Sequence, residues 1–189
     1  MIRYIDNGKK QTILLLHGLA CDTIYFDNLI SELSSHYNFI LPELSGHYRS
    51  SDAPISIKNE VDSIIKYCDT CKLKFQMILA HSMGSILAFE LDKKIAGIDK
   101  ILLLEGNLIE SDFVWSTQMS TMTRECFEKY WDKFIKQYPL LLKMKVKKNN
   151  LDKYLSGVNN FNPYHIFLYS KLISKCSNLK FKTSYSKTI

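Results

Sequence analysis

The sequence predicts an α/β fold, in which a mostly parallel sheet carries helices on both faces. Short apolar segments alternate with amphipathic ones over the first 110 residues, and this alternation is typical of a parallel sheet covered on both sides. The chain has 189 residues, 46% of them hydrophobic, which is enough to bury one substantial core. No Gly/Ser/Pro-rich linker divides it, so we expect one domain with an inserted or appended segment.

Five strands and three helices follow from the pattern. The strands are expected near residues 2–6, 12–17, 38–42, 76–81 and 100–105, and the helices near 23–36, 57–71 and 83–96. Right-handed crossovers connect such elements. Open α/β sheets place ligands at the carboxyl ends of their strands, so a functional site is expected just after these strands.

The chain changes character after residue 110. Residues 112–176 show almost no strand pattern but several helical ones. Between Phe127 and Tyr138, apolar residues recur at three- and four-residue spacing, which indicates one apolar face of a helix. We therefore divide the chain into a core unit (1–110), a helical cap-like segment (111–177), and a candidate seventh strand with the chain end (178–189).

Charge and hydropathy argue against several classes of partner. Residues 1–120 carry a net charge of −4 and residues 121–189 carry +10, yet no nucleic-acid-binding motif accompanies the lysines at 143–148. We expect a solvated helix face there and no nucleic-acid partner. No apolar run approaches the roughly 20 residues of a membrane span, and the first residues lack a signal-peptide pattern. The sequence predicts a cytoplasmic protein without a membrane span.

The cysteines give no sign of a disulfide framework or a metal site. There are five of them, irregularly spaced, which suits a reducing compartment. Cys68 and Cys71 form a Cys-x-x-Cys pair, but no second pair and no histidine at ligand spacing accompany it. We expect no bound metal and no cofactor.

The most informative segment is residues 76–90, in which an apolar strand pattern runs through Ser82 directly into a helical pattern. This arrangement is typical of a sharp strand-to-helix turn that presents a nucleophile. Ala80 and Gly84 are small, as the crowded bend requires. The helix beginning near Met83 directs its N–H groups toward the space beside Ser82. The alternative is an ordinary turn with a serine N-cap.

Two further motifs precede this turn. Residues 12–19 form an apolar strand ending in His17-Gly18, and residues 38–51 form a strand followed by a Ser-Gly-His turn. The three motifs, in this order, resemble the α/β-hydrolase family over residues 1–110, and the rest resembles it loosely. Ala80, Glu43 and Tyr48 depart from the family pattern, which usually has Gly, Asp and Gly there.

The resemblance implies a function and a site. It implies Ser82 as nucleophile, an oxyanion hole formed by the N–H groups of Leu19 and Met83, and a helical cap after the sixth strand. The substrate would be a small-molecule carboxylic ester, thioester or amide, attacked to give an acyl-Ser82 intermediate. Two alternatives stay open, namely a non-catalytic or vestigial binding protein of the same fold and an acyltransferase that uses the same serine. The substrate and the oligomeric state are not specified by the sequence.

A catalytic triad consists of the serine, a base that takes its proton and a group that orients the base. The sequence offers no clear candidates for the base and the orienting group. In this fold the order along the chain is serine, acid, histidine, and His165 is the only histidine after Ser82. Glu105, at the end of the candidate sixth strand, is the candidate acid, or else a buried carboxylate that orders the loop into the cap. His165 is the candidate base, although its place on a cap helix leads us to expect it beyond hydrogen-bond reach of Ser82.

From the sequence we favour a shortened family member. It keeps the sharp turn at Ser82, called the nucleophile elbow, and the oxyanion hole, but it lacks the base. The remaining histidines precede the serine. His17 and His81 are expected to orient the two motif turns rather than transfer protons.

Overall fold

A computed structural model of the protein describes residues 1–47, 54–145 and 161–176. Within this part, five strands form one sheet in the order β1-β3-β2-β4-β5. β1 pairs with β3 antiparallel, whereas the β2–β3, β2–β4 and β4–β5 pairs are parallel. The predicted fold class, a mostly parallel α/β sheet, is confirmed.

The strands lie within one residue of their predicted ends. They are β1 (Ile2–Ile5), β2 (Thr12–Leu16), β3 (Asn38–Pro42), β4 (Met77–His81) and β5 (Lys100–Leu104). Every residue of β2 and β3 is buried, as expected for strands that are covered on both faces. The candidate sixth strand of the family is therefore β5 here.

Six α-helices and two 3-10 turns lie in the described ranges. The helices are α1 (Asp27–Leu33), α2 (Ile57–Thr70), α3 (Gly84–Asp92), α4 (Val114–Ser120), α5 (Arg124–Lys145) and α6 (Pro163–Cys176). The 3-10 turns span Thr23–Phe26 and Glu110–Phe113.

Two predicted helices are shorter than expected. The helix predicted for residues 23–36 is present only over Asp27–Leu33, because a 3-10 turn precedes α1 and α1 ends at Leu33. The Asp22 carboxylate accepts a hydrogen bond from Ile24 N at 2.9 Å, and this cap begins the tighter turn. The helix predicted for 83–96 ends at Asp92, and the chain then turns through Gly97 at φ +87°, a conformation that glycine adopts readily.

The two faces of the sheet are covered by different elements. Alternate residues of β2 point to opposite faces. Leu14 and Leu16 pack in a cluster with residues of α2 and α3. Ile13 and Leu15 pack on the other face with Phe26, in the first 3-10 turn. The predicted helices on both faces are therefore present.

The segment after β5 is helical and has an apolar cluster of its own. Its buried members are Met119, Phe127, Trp131, Phe161, Ile166 and Phe167. The apolar face predicted from Phe127 onward is that of α5, with Phe127 and Trp131 fully buried.

The last helix also reaches the main core, because Tyr169 and Ile173 of α6 pack in the cluster formed by β2, α2 and α3. The boundary at residue 110 stays a prediction, and the candidate strand at 178–185 lies outside the described residues. No helix of the described part is long and apolar enough to cross a membrane.

A buried hydrogen bond connects α6 to α2. Tyr169 Oη donates to Glu60 Oε1 at 3.2 Å, and Ser45 N donates to the same oxygen at 3.1 Å. Tyr169→Phe should lower the free energy of unfolding by about 1.5–3 kcal/mol, the usual worth of a hydrogen bond to a charged group. Urea denaturation measures the change.

Tyr164→Phe is the matched control on the same helix. Its ring lies under the Arg124 guanidinium at 4.3 Å, a contact that phenylalanine keeps, so its effect should stay within about 0.5 kcal/mol. Equal effects of the two substitutions would show that the Tyr169–Glu60 bond does not contribute.

Candidate functional site

Ser82 lies at the sharp turn between β4 and α3 with a φ of +48°. A serine in this left-handed region is strained and persists only where neighbouring contacts hold it. Ser82 N donates to Leu104 O at 2.9 Å, and Ser82 O accepts from Ser85 Oγ at 2.6 Å. These bonds fasten the turn to β5 on one side and to α3 on the other.

Two glycines let the turn pack against β2. A side-chain carbon at Gly84 would lie 2.5 Å from Leu16 O, and one at Gly18 would lie 3.1 Å from Ser82 Cβ. A side chain at Gly84 has no room, and one at Gly18 would have to displace the side chains of His81 and Ser82. The His17-Gly18 turn and the Ser82 turn, far apart in sequence, are therefore in direct contact.

A cavity of about 290 Å³ opens beside Ser82. Leu19 and Met83, the predicted oxyanion-hole residues, line it together with Ser82. In the described part of the chain, the backbone N–H groups of Leu19 and Met83 donate to no protein acceptor. Aromatic side chains of α4 and α5 complete the wall, namely Trp115, Trp131, Phe134 and Tyr138.

The candidate base, His165, does not lie beside Ser82. All five histidines fall within the described ranges, and none of them hydrogen-bonds Ser82. The His165 ring packs against the turn after β3, with Nδ1 3.4 Å from Gly46 O, and His165 does not line the cavity beside Ser82. The structure therefore does not bring His165 together with Ser82.

Glu105 follows β5 at a φ of +50°. Its side chain is 88% exposed, so the expectation of a buried carboxylate that orders the loop into the cap is wrong. Oε2 lies 3.6 Å from His81 Nε2. The histidine beside the candidate acid is therefore His81, not His165.

His81 was expected only to orient its turn, and the structure gives it more contacts than that. Its ring stacks on Tyr25 with centroids 4.5 Å apart, and Nδ1 lies 3.8 Å from Cys21 Sγ. Burial lowers the pKa of His81, although the Glu105 carboxylate opposes the shift. A signal for the pairing was present in the sequence, because His81 and Glu105 end neighbouring parallel strands, whose carboxyl ends meet at one edge.

His17, the histidine of the His17-Gly18 motif, lies in the turn after β2. His17 is fully buried, its Nδ1 lies 2.9 Å from Gly18 O, and its Nε2 lies 3.4 Å from Glu43 Oε1. Burial alone would raise the pKa of Glu43, but the contacts with His17 and Thr23 hold it below its ordinary value. Glu43, which stands where the family usually has Asp, thus anchors the loop that carries Leu19.

No family model matches the sequence. The chain is 32% identical over 109 residues to the "Probable lysophospholipase BODYGUARD 2" of Arabidopsis thaliana, which covers 52% of this chain and 23% of that protein. It is 30% identical over 92 residues to the magnesium-chelatase 30 kDa subunit of Rhodobacter capsulatus, covering 46% of this chain and 32% of that protein. The chain thus spans a third or less of these curated relatives.

Solved structures match over more of the chain. The enol-lactonase from Burkholderia xenovorans LB400 aligns with a TM-score of 0.69 at 16% identity, covering 92% of this chain and 69% of that one. At this identity the likeness concerns the fold.

The close contact at Gly84 yields a prediction. In Gly84→Ala the added methyl group must displace the Leu16 carbonyl, which should cost about 1–3 kcal/mol of stability and move Ser82. We expect slower reaction of Ser82 with a fluorophosphonate probe, followed by gel fluorescence under conditions in which the variant remains folded.

Gly97→Ala is the control, because Gly97 has a positive φ but open space around it. It should lose stability through backbone strain, about 1–2 kcal/mol, without changing the probe rate. If both variants slow the probe equally, the contact with Leu16 does not set the position of Ser82.

Proposed function

Because the chain has the α/β-hydrolase fold, we propose that it is a serine hydrolase that cleaves carboxylic esters, thioesters or amides through an acyl-Ser82 intermediate. The observation that carries the proposal is the strained left-handed turn at Ser82, beside a cavity. Strain of this kind is kept where it positions a functional group. The relative named a probable lysophospholipase points in the same direction.

The proposed first step is attack of Ser82 Oγ on the acyl carbon. The Oγ–C bond forms, the bond from that carbon to the leaving oxygen, nitrogen or sulfur breaks, and the serine proton passes to the leaving group. The N–H groups of Leu19 and Met83, which donate to no acceptor among the described residues, would hold the negative oxygen. Water then cleaves the acyl-serine and regenerates Ser82.

The cavity favours a compact, apolar acyl group. A volume of about 290 Å³ is at the lower end of the range for small-molecule sites. Its aromatic wall comes from α4 and α5, which belong to the cap-like segment. We therefore propose that residues 111–177 act as a cap that selects the acyl group.

A second candidate is a non-catalytic binding protein with the same fold. It is favoured by one observation, that no histidine of the described part hydrogen-bonds Ser82. An acyltransferase would use the same serine. It would differ from the proposed hydrolase only in the acceptor of the acyl group, which would be a molecule other than water.

A fluorophosphonate probe separates the two candidates. The hydrolase proposal predicts that the probe labels the protein at Ser82 and that Ser82→Ala abolishes labelling. Ser116→Ala is the matched control, since Ser116 lines the same cavity but is not on the elbow, and it should leave labelling intact. Absence of labelling in the folded wild type favours the binding protein, and labelling that survives Ser82→Ala contradicts the assignment of Ser82.

His165 gives a separate prediction. Because its ring contacts Gly46 and not Ser82, His165→Ala should change the labelling rate of Ser82 by less than about threefold, whereas loss of a true general base typically costs 10²–10⁴-fold. Labelling reactions stopped at successive times measure the rates of the wild type and of His165→Ala. A loss of two orders of magnitude with the fold intact would restore His165 as the base.

A further inference from the structure

Cys21 and His81, which line the cavity, and the neighbouring Glu105 form a group of side chains that the proposed hydrolase mechanism does not use. Cys21 Sγ lies 3.8 Å from His81 Nδ1, and His81 Nε2 lies 3.6 Å from Glu105 Oε2. Thiol, imidazole and carboxylate thus follow one another through the two nitrogens of one ring. A nucleophile, a base and a group that orients the base make up a nucleophilic catalytic site.

The ring in the middle is held in place. It stacks on Tyr25 with an angle of 18° between the planes. Gly18 also approaches the ring so closely that an added side-chain carbon would lie 2.7 Å from Nδ1. These contacts fix the ring with Nδ1 toward Cys21 and Nε2 toward Glu105.

The thiol is accessible from the cavity. Cys21 and His81 line the same 290 Å³ space as Ser82, and Cys21 is half-buried. The other four cysteines are also within the described ranges, and none of them hydrogen-bonds a histidine. The arrangement is therefore particular to Cys21.

We propose that Cys21, His81 and Glu105 form a second nucleophilic site in this cavity, which takes the acyl group of a small thioester. The site stands on its own geometry and does not require Ser82 to be active. Thioesters suit a thiol nucleophile because exchange of one thioester for another is close to balanced, whereas thiolysis of an oxygen ester is uphill.

The step is a simple exchange. The Cys21 Sγ–C bond forms and the substrate C–S bond breaks. The thiol proton passes to His81 Nδ1 and then to the departing thiolate, so no oxidant or reductant is needed. The acyl group then sits on Cys21, in the same cavity as Ser82 Oγ.

The protonation states agree with this order of events. Burial, assisted by the nearby Asp22 carboxylate, raises the pKa of Cys21 to about 12, so the thiol keeps its proton at neutral pH and needs a base as it attacks. Burial holds the pKa of His81 below its usual value, and His17 adds to that shift while Glu105 opposes it. His81 is therefore neutral at pH 7 and able to accept the proton.

The test uses the full chain carrying Ser82→Ala, so that only the second site is observed, with S-phenyl thioacetate as the acyl donor. Intact mass and peptide mapping should show one acetyl group on Cys21, formed faster than on the exposed Cys71 and Cys126. Cys21→Ser should remove it, and Cys126→Ser should not. Acetylation confined to the exposed cysteines would overturn the proposal.

Two further variants test the base. His81→Gln should slow acetylation of Cys21 by about 10²-fold or more, in the range for loss of a general base. Glu105→Gln should slow it several-fold, and its exposed position makes it safe for folding, which a thermal melt checks. Unchanged rates in both variants would contradict the proposal.

The pH dependence of the acetylation rate of Cys21 tests the role of His81 as a base. A purely structural role of His81 would not produce this dependence. Proton transfer to neutral His81 predicts a rate that rises with pH through the lowered pKa of His81 and is then level across neutral pH. A thiol that reacts unaided would instead gain about tenfold per pH unit up to its own pKa. A steady rise between pH 7 and 9 would overturn the role of His81.

Discussion

The contact between the Ser82 turn and the end of β2 is the constraint on which the site depends. Gly84 lies against the Leu16 carbonyl, and Gly18 lies against both Ser82 and His81. Side chains at either glycine would push the two turns apart. Because β2 and β4 are paired in parallel, with Leu16 opposite Ala80, the sheet brings the two turns to the same edge, and the glycines let them touch.

This contact determines what surrounds Ser82. It places Leu19 and Met83 beside one cavity, and it leaves His81 between Cys21 and Glu105. Thr23 N and Oγ1 donate to Glu43 Oε2, and these bonds hold the end of the loop that carries Leu19 and Cys21. The cap helices add the aromatic wall. Ser82 and Cys21, the residues of the two proposals, therefore line one cavity.

Much of this was predictable from local sequence. Short apolar runs predicted the five strands, and the serine between Ala80 and Gly84 predicted the sharp turn after β4. Features that depend on long-range contacts were not accessible. His165 packs on Gly46, 119 residues away, and the exposure of Glu105 depends on how the chain leaves β5. The helix predicted at 23–36 failed for a local reason, because the Asp22 cap favours a 3-10 turn that helical periodicity does not reveal.

The central claim is that Ser82 is a nucleophile served by the N–H groups of Leu19 and Met83. A crystal structure of the protein after reaction with a fluorophosphonate tests it most directly. The account predicts phosphorus bonded to Ser82 Oγ, with the phosphoryl oxygen about 2.7–3.1 Å from both nitrogens, the distance for an oxyanion-hole donor. An adduct on another residue, or a phosphoryl oxygen turned away from both amides, would contradict the account.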